Sequence, residues 1–377
     1  MAQAADYMRL LEDGPESPAA VAARTAAEAD RGAFPKAVCD ALAKSGLMGL
    51  ISSTEAGGMG QGPRAAVAVV ERLARECGSS AMVACMHYAA VQVIEKYGSM
   101  PVRREVAAGK HLCTLAFSEA GSRSQFWAPT STAKAVSGGV QLDAKKSWVT
   151  SATHATLYVW SSKPQAAEGM STIWLVPRGA TGVKASGDFN GLGLRGNDSR
   201  PMAAEKAVIP ASSRLAEDGA GLGVMLEVVL PIFNLMTSAV AVGLMEGAIG
   251  RAIAHISGVK FEHTQSTLAD LPTIRAYAAR MRILADMARA LLMDTVAAIE
   301  GGRPDTMLRV LECKAAAGEA ALQVMDHAMR ICGGAAFRGD VAVDRYFRDS
   351  RAASVMAPTT DHLYDFIGKA LCGLPVF

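Results

Sequence analysis

Apolar positions in the first part of the chain recur at helical spacing. Residues 34–46 (FPKAVCDALAKSG), 64–77 and 82–97 each show this pattern, and the first of these segments stops at a glycine. A glycine just beyond the last periodic residue is typical of a helix C-terminus. The intervening Gly78-Ser79-Ser80 predicts a break between the second and third segments. We therefore predict an N-terminal helical bundle over residues 1–112.

The hydrophobic pattern changes at Cys113. Short runs rich in β-branched and aromatic residues follow, broken by Gly, Pro, Asn and Ser: CTLAF, STAKAV, GVQLDAKKSWVTS, ATLYVWSS, STIWLVP and AEKAVIP. They recur about every ten residues, which is typical of a β-sandwich or β-barrel. We predict a central β-barrel or β-sandwich domain over residues 113–215.

The remainder of the chain again has a helical pattern. Long segments rich in Ala, Leu and Met cover residues 226–255, 271–300, 306–330 and 360–372, with short links such as Glu300-Gly301-Gly302-Arg303-Pro304. Long helices joined by tight links predict a C-terminal four-helix bundle over residues 216–377. The predicted fold class is therefore α+β, with helical domains on either side of a β-domain.

One apolar segment is long enough to span a bilayer. Residues 224–245 (VMLEVVLPIFNLMTSAVAVGLM) contain Glu227, Pro231 and Asn234, which favours a buried helix of a bundle over a membrane span. The first residues lack the charged-then-apolar pattern of a secretory signal. We expect no membrane partner.

Composition narrows the class of protein. Half of the 377 residues are hydrophobic and 20% are charged, so a large buried core is expected and global disorder is excluded. The formal net charge is +2 without a basic stripe, which argues against nucleic acid as the main partner. The seven cysteines form no CxxC pair and are typical of reduced thiols in a cytoplasmic protein.

Motif searches exclude several kinds of site. The sequence contains no HxxxH or HExxH pair, no GxxxxGK[ST], no GxGxxG after a strand and no GxSxG. These absences remove the simplest metal, nucleotide and serine-hydrolase interpretations. His87, in MHYAAV, is expected to be a hydrogen-bonded core histidine.

Three other segments allow both a functional and a plain structural interpretation. Gly333-Gly334 closes a predicted helix and is either a C-cap or a place where a ligand approaches the backbone. The loop SEAGSRS at 118–124 is either an anion-binding nest or an ordinary connection. Trp148-Val149-Thr150-Ser151 suits stacking on a planar ring, although a Trp at the edge of a core is equally common.

In this order, these segments resemble the acyl-CoA dehydrogenase superfamily of flavoproteins over nearly the whole chain. The resemblance rests on residues 42–60 (LAKSGLMGLISSTEAGGMG), 114–124 (TLAFSEAGSRS), 147–151 (SWVTS), 191–201 (GLGLRGNDSRP) and 329–349 (MRICGGAAFRGDVAVDRYFRD). It implies an oxidoreductase that binds FAD, acts on an acyl-CoA thioester and assembles as a homodimer or homotetramer. The acyl chain and the electron acceptor remain open.

The resemblance also implies which residues contact FAD. The matching positions are Phe117, Ser118, Ser124, Trp148, Thr150 and Ser151 around the flavin, Arg330, Gly333 and Gly334 toward a neighbouring subunit's cofactor, and Thr359 and Asp361 in the late segment. One expected Arg-x-x-Phe-Gly segment is missing, since the matching residues are Phe261, Thr264 and Gln265. Its loss would remove a charge-assisted contact to the pyrophosphate.

The expected catalytic base is absent from both places where the family keeps it. Dehydrogenation of a thioester requires a carboxylate that accepts the α-proton. One family position holds Ala357 and the other holds Phe233, and neither side chain can accept a proton. The catalytic residues are therefore unknown from the sequence.

Other groups could replace the base. Asp361 is expected to keep a cofactor-contacting or capping role, and Glu246 is out of reach further along its helix. His87, His362 and Glu119 stay open as candidates.

Three functions compete. The first is acyl-thioester dehydrogenation with a non-standard site. The second is an oxygenase or oxidase of the same superfamily, which needs no base for α-proton removal, so that Phe233 would help form a dry cavity. The third is a non-catalytic binding protein on the same scaffold. We rank them in that order.

Overall fold

The computed structural model describes residues 6–123 and 125–376. Its N-terminal part is helical, as predicted. The helices are α1 (Asp6–Glu12), α2 (Pro18–Asp30), α3 (Lys36–Lys44), α4 (Pro63–Glu76), α5 (Gly78–Tyr97) and α6 (Met100–Ala107). Helix α5 is buried along most of its length, because its apolar residues face both the other N-terminal helices and the C-terminal domain.

The central part forms two four-stranded sheets in the described chain. The strands are β1 (Cys113–Ala116), β2 (Thr132–Val136), β3 (Gly139–Val149), β4 (Leu157–Ser162), β5 (Thr172–Pro177), β6 (Val183–Ala185), β7 (Arg200–Ile209) and β8 (Arg214–Leu215). The orders are β1-β4-β5-β8 and β2-β3-β7-β6, and β1 runs parallel to β4 while the other pairs are antiparallel. Tyr158, Trp160 and Trp174 lie in the apolar core between the sheets.

The C-terminal part is a bundle of long helices. Its elements are α7 (Gly221–Gly223), a π-helix (Val224–Val229), α8 (Leu230–Gly258), α9 (Pro272–Gly301), α10 (Thr306–Cys332), α11 (Val343–Ser350), α12 (Ala352–Val355) and α13 (Thr360–Leu371). The continuous helical stretch Gly221–Gly258 is long and apolar enough to cross a membrane by composition, but 89% of its most apolar window is buried inside the protein. It is therefore the core helix that its Glu, Pro and Asn residues predicted.

The α+β fold class, with helical, β and helical parts in that order, is confirmed. One local prediction was wrong: Gly78-Ser79-Ser80 does not separate two helices but forms the first turn of α5. The break lies at Cys77, whose backbone is extended (φ −150°, ψ 111°). Glycine suits position 78, because a Cβ atom there would lie 2.8 Å from a carboxylate oxygen of Asp349 and 3.0 Å from Leu194.

Candidate active site

A cavity of about 70 Å³ lies where the three parts of the chain meet. Helix α5, the ends of β1 and β3, the loop after β1, the π-helix with the start of α8, and the segment between α12 and α13 each contribute to its wall. The lining residues are Met86, Leu115, Phe117, Ser118, Phe126, Ser147, Trp148, Val229, Leu230, Phe233 and Ala357. Most of these side chains are apolar, so the part of a ligand that enters the cavity loses its contact with water.

The β-domain side of the cavity is shaped by a bulge in β3. The pairing register between β3 and β7 shifts between Lys146 and Val149, and within this bulge Trp148 has a left-handed backbone (φ 56°). Such bulges redirect side chains, often beside active sites. The indole of Trp148 is 69% exposed at the cavity, and the N–H of Ser147 donates to the Ser118 carbonyl at 2.8 Å. Trp148 and Ser118 are thus held side by side.

These features fit the isoalloxazine ring of FAD. An exposed indole beside an apolar cavity offers a face or an edge to a planar ring. The Ser118 and Ser147 side chains at the same wall can exchange hydrogen bonds with the polar edge of such a ring. When bound, FAD supplies a two-electron acceptor that takes up hydride.

A buried ion pair supports this wall from behind. The Lys146 ammonium group donates to Glu119 at 2.6 Å and to the Ser161 carbonyl at 2.7 Å, and both side chains are at most 1% exposed. Glu119 also accepts hydrogen bonds from the backbone and side chains of Thr130 and Ser131. Burial alone would raise the pKa of Glu119, but Lys146 and these hydrogen bonds hold it below its usual range. Glu119 is therefore a structural carboxylate, which removes it as a candidate base.

The two residues at which the family resemblance predicts a catalytic base face the same cavity. Phe233 lies in the first turns of α8, directly after the π-helix, and Ala357 lies between α12 and α13; both line the cavity. Among the described residues of its lining, none is ionisable. The arrangement therefore presents a mostly apolar wall to a ligand and, among the described lining residues, contains no carboxylate that could accept a proton.

His87 is fully committed to the fold. Its Nδ1 atom accepts from the Cys113 N–H at 3.1 Å, so its Nε2 atom carries the proton and donates to the Met48 carbonyl at 2.9 Å. Burial lowers the pKa of His87 to about 4, although the bond to Met48 opposes this shift. The expectation of a hydrogen-bonded core histidine is confirmed, and His87 has no nitrogen free for catalysis.

The remaining candidate bases lie elsewhere. Glu246 binds Arg282 and Arg289. Burial alone would raise the pKa of Glu246, but the hydrogen bonds from these two guanidinium groups lower it to about 2. His362 lies 3.2 Å from the Thr359 hydroxyl through its Nδ1 atom and, like Asp361 in the first turn of α13, is not part of the cavity lining.

Several residues predicted to contact FAD lie outside the cavity. Thr150 is buried, with its hydroxyl 3.0 Å from that of Ser199, and the Ser151 N–H donates to the Asn197 carbonyl. Thr359 caps α13 by accepting from the His362 N–H. Ser124 lies outside the described residues. The roles of these residues toward FAD stay predictions.

The predicted adenine and pyrophosphate contacts form a separate, exposed group at the end of α10. Arg330 donates to the Tyr277 hydroxyl at 2.7 Å and lies over the ring of the same tyrosine. Gly333 and Gly334 begin a 3-10 turn, and both are exposed to solvent. This position suits a contact with another subunit, so their role also stays a prediction.

The sequence analysis missed Lys314, which lies under the Ala357 side of the cavity. Its side chain is buried and donates to the carbonyls of Met356 at 3.0 Å and Pro358 at 2.7 Å. A signal was present in the sequence: Lys314 occupies the apolar stripe of α10, four positions from both Val310 and Gly318. A lysine at such a register position is expected to be buried.

Comparison with known proteins agrees with the domain order. Residues 18–109, 114–207 and 219–372 match the N-terminal, middle and C-terminal domains of acyl-CoA dehydrogenases, respectively. The chain is 26% identical over 338 residues to an acryloyl-CoA reductase (NADH) of Anaerotignum propionicum, covering 87% of this chain and 84% of that protein. It is 25% identical over 336 residues to a mitochondrial isovaleryl-CoA dehydrogenase of Oryza sativa subsp. japonica, covering 86% and 80%.

A solved structure shows the same fold. The butyryl-CoA dehydrogenase of Megasphaera elsdenii superposes with a TM-score of 0.89 over 99% of this chain and 98% of that chain, at 20% identity. The matches to all three domains identify a flavoprotein oxidoreductase scaffold. The chain belongs to the acyl-CoA dehydrogenase family.

Proposed function

We propose that this protein is an FAD-dependent oxidoreductase that oxidises an acyl-CoA-type thioester with a non-standard active site. The observation that carries the proposal is the cavity itself: Trp148 and Ser118 face it from the β-domain, and Phe233 and Ala357 face it from the helical domain. A thioester placed between these two walls would lie against the bound flavin.

The residues of the cavity would act by positioning and by excluding water. Phe117, Ser118 and Trp148 would hold the flavin, while Phe126 and Phe233 would cover the reacting carbons of the acyl group. Removal of water strengthens the electrostatic interactions that remain in the cavity. Without a carboxylate in the wall, the α-proton would have to pass to a solvent water molecule at the open side of the cavity, so we expect its removal to be slow.

Restoring an acid at Phe233 tests the proposal. Phe233→Glu should create or raise acyl-CoA dehydrogenase activity, because a carboxylate in an apolar cavity has a raised pKa and suits general base catalysis. A base contributes about 100-fold or more to such a step. The measurement is the rate of anaerobic flavin bleaching by acyl-CoA thioesters of different chain lengths.

Phe233→Gln is the matched control, because it adds similar volume and polarity without a titratable group. A folded, FAD-loaded Phe233→Glu variant that bleaches no faster than Phe233→Gln with every thioester would contradict the placement of Phe233 at the reacting carbon.

A second candidate function, an oxygenase or oxidase of the same superfamily, is favoured by the cavity's lack of ionisable groups among its described lining residues. Such a reaction needs a dry cavity but no base for α-proton removal. Oxygen consumption that depends on substrate, with no thioester able to bleach the flavin anaerobically, would favour this function. A purified protein without flavin absorbance would favour the non-catalytic alternative.

We also propose assembly as a homodimer or homotetramer. Ile283 and Met287, one turn apart on α9, are 57% and 64% exposed, and Phe337, close to Gly333 and Gly334, is 82% exposed. Large exposed apolar side chains are typical of association surfaces. In such an assembly Arg330, Gly333 and Gly334 would reach a neighbouring subunit's FAD. Sedimentation velocity of the wild type and of Met287→Glu tests this proposal.

A further inference from the structure

Lys314 is buried without a carboxylate partner in the described chain. Its side chain is 2% exposed, and its nitrogen donates to the carbonyls of Ala353 at 3.5 Å, Met356 at 3.0 Å and Pro358 at 2.7 Å. An ammonium group has three N–H donors, so these three carbonyls account for all of them. The site is built from the backbone of the segment between α11 and α13.

Two of these carbonyls flank Ala357. Met356 precedes it and Pro358 follows it, and Ala357 lies in the wall of the cavity. A planar trans peptide directs its N–H opposite to its carbonyl. The bond from Lys314 to the Met356 carbonyl therefore also turns the Ala357 N–H away from Lys314 and fixes the peptide plane on the N-terminal side of this wall residue. The bond to the Pro358 carbonyl holds the chain one residue beyond Ala357.

We propose that Lys314 is a positioning residue of the candidate active site: its side-chain nitrogen holds the carbonyls on both sides of Ala357 and thereby sets where Ala357 stands in the cavity wall. The inference rests on the proposed function only in taking this cavity as the place where FAD binds.

The charge of Lys314 supports this role. Burial lowers the pKa of Lys314 to about 7, while the thiols of Cys313 and Cys85 act in the opposite direction. With no carboxylate to neutralise it, the group depends on the carbonyl dipoles of this segment. The same carbonyls accept their side-chain hydrogen bonds from Lys314. Removal of the lysine therefore leaves these carbonyls without that donor, and displacement of the segment leaves the lysine without acceptors.

The spectrum of bound FAD provides the first test. Visible absorbance and circular dichroism are compared for the holoproteins of the wild type, Lys314→Met, Lys314→Arg and Arg351→Met. Arg351 is the matched control, because it links the same segment to α10 through Asp326 at 2.8 Å, but on the solvent side. We expect Lys314→Met to change the flavin spectrum, Lys314→Arg to restore part of the wild-type spectrum, and Arg351→Met to superimpose on it.

A thiol reporter provides a test that does not depend on flavin. In a Cys372→Ser background the other six cysteines are buried, so Ala357→Cys adds one reactive thiol to the wall. Its alkylation by iodoacetamide is measured at about pH 6, where Lys314 keeps its ammonium group. Each rate is divided by the thiolate fraction obtained from the pH dependence of the same reaction, so that it reports access and not ionisation. We expect Lys314→Met to speed this reaction at least about tenfold and Arg351→Met to leave it unchanged.

A folded Lys314→Met variant with a wild-type flavin spectrum and an unchanged alkylation rate would overturn the inference. If Lys314→Met does not fold, the same two comparisons are made with Lys314→Gln, which keeps a polar end but has neither the charge nor the three N–H donors of lysine. Wild-type behaviour in both comparisons would then overturn the inference. A wild-type protein that binds no FAD would refute the proposed function, while the thiol reporter would still decide the role of Lys314.

Discussion

Two buried lysines support opposite walls of one cavity, and they are stabilised in different ways. In the β-domain, Lys146 contacts the Glu119 carboxylate at 2.6 Å and the Phe117 carbonyl at 3.4 Å. In the helical domain, Lys314 contacts carbonyls alone, on both sides of Ala357. Each of the two residues is 2% exposed, so burial is equal and the partners differ.

The difference in partners determines how much stability is lost when each lysine is removed. Burial lowers the pKa of both groups, but at Lys146 the charge of Glu119 opposes the shift, whereas at Lys314 no carboxylate does and the pKa falls to about 7. Removing Lys146 leaves a buried charge without a partner. Removing Lys314 leaves only dipoles, which cost less. The β-domain wall therefore depends on a pair, and the helical wall depends on hydrogen-bond geometry.

The largest effect is expected for Lys146→Met, which strands the Glu119 carboxylate. Loss of one partner from a buried pair costs about 3–5 kcal/mol in the free energy of unfolding. The double variant Lys146→Met/Glu119→Gln should recover much of that loss, because no buried charge remains. Urea unfolding of the three proteins measures these differences.

Lys184→Met is the control for this prediction. Lys184 forms an ion pair with Glu205 in the same domain, but the two side chains are 58% and 63% exposed, and such pairs contribute about 1 kcal/mol or less. If Lys146→Met were no more destabilising than Lys184→Met, the β-domain wall would not depend on its ion pair.

An intermediate effect is expected for His87, which is buried as a neutral imidazole. Its pKa falls from 6.5 to about 4 on folding, so the unfolded state binds the proton first as the pH drops. The neutral imidazole therefore contributes its full share of the free energy of unfolding above pH 6.5. As the pH falls from 6.5 to about 4, this contribution decreases by about 3 kcal/mol in total. His87→Gln should lack this loss. Equal pH dependence of urea unfolding in both proteins would show that His87 does not titrate as inferred.

A more gradual effect is expected for Lys314, because it is spread over the whole pH range between its two pKa values. Because its pKa falls from 10.5 to about 7 on folding, the unfolded state binds more protons between these values. Its contribution to the free energy of unfolding therefore rises with pH, by up to about 1.4 kcal/mol per pH unit. The difference between wild type and Lys314→Met should show this slope above pH 7.

Subtracting the free energy of unfolding of Lys314→Met from that of the wild type removes the contributions of other groups whose pKa changes on unfolding. Burial raises the pKa of the Cys85 and Cys113 thiols, and they act in the opposite direction in both proteins. If this difference did not change with pH, the pKa of Lys314 would not be lowered on folding, and a group other than the three carbonyls would have to stabilise its charge.

Local patterns predicted the fold well and the site in part. The change from helical spacing to alternating runs at Cys113, and back again before α8, needs no knowledge of tertiary contacts, because each element expresses its own periodicity. The predicted start of α5 was wrong because a glycine such as Gly78, judged from its neighbours in sequence alone, indicates a break between helices. Its actual role depends on close packing against Asp349 and Leu194, which belong to distant segments.

The sequence alone determined the order of the helical and β parts, since this order follows from local spacing. Its resemblance to the family also predicted that Phe233 and Ala357 stand where relatives keep a base. Only the tertiary structure decided that Phe233 and Ala357 face one cavity with Trp148, that Glu119 and His87 are fully bonded in the fold, and that Lys314 lies beneath Ala357. The physical reason is that burial and hydrogen bonding join segments far apart along the chain, so no local pattern contains them.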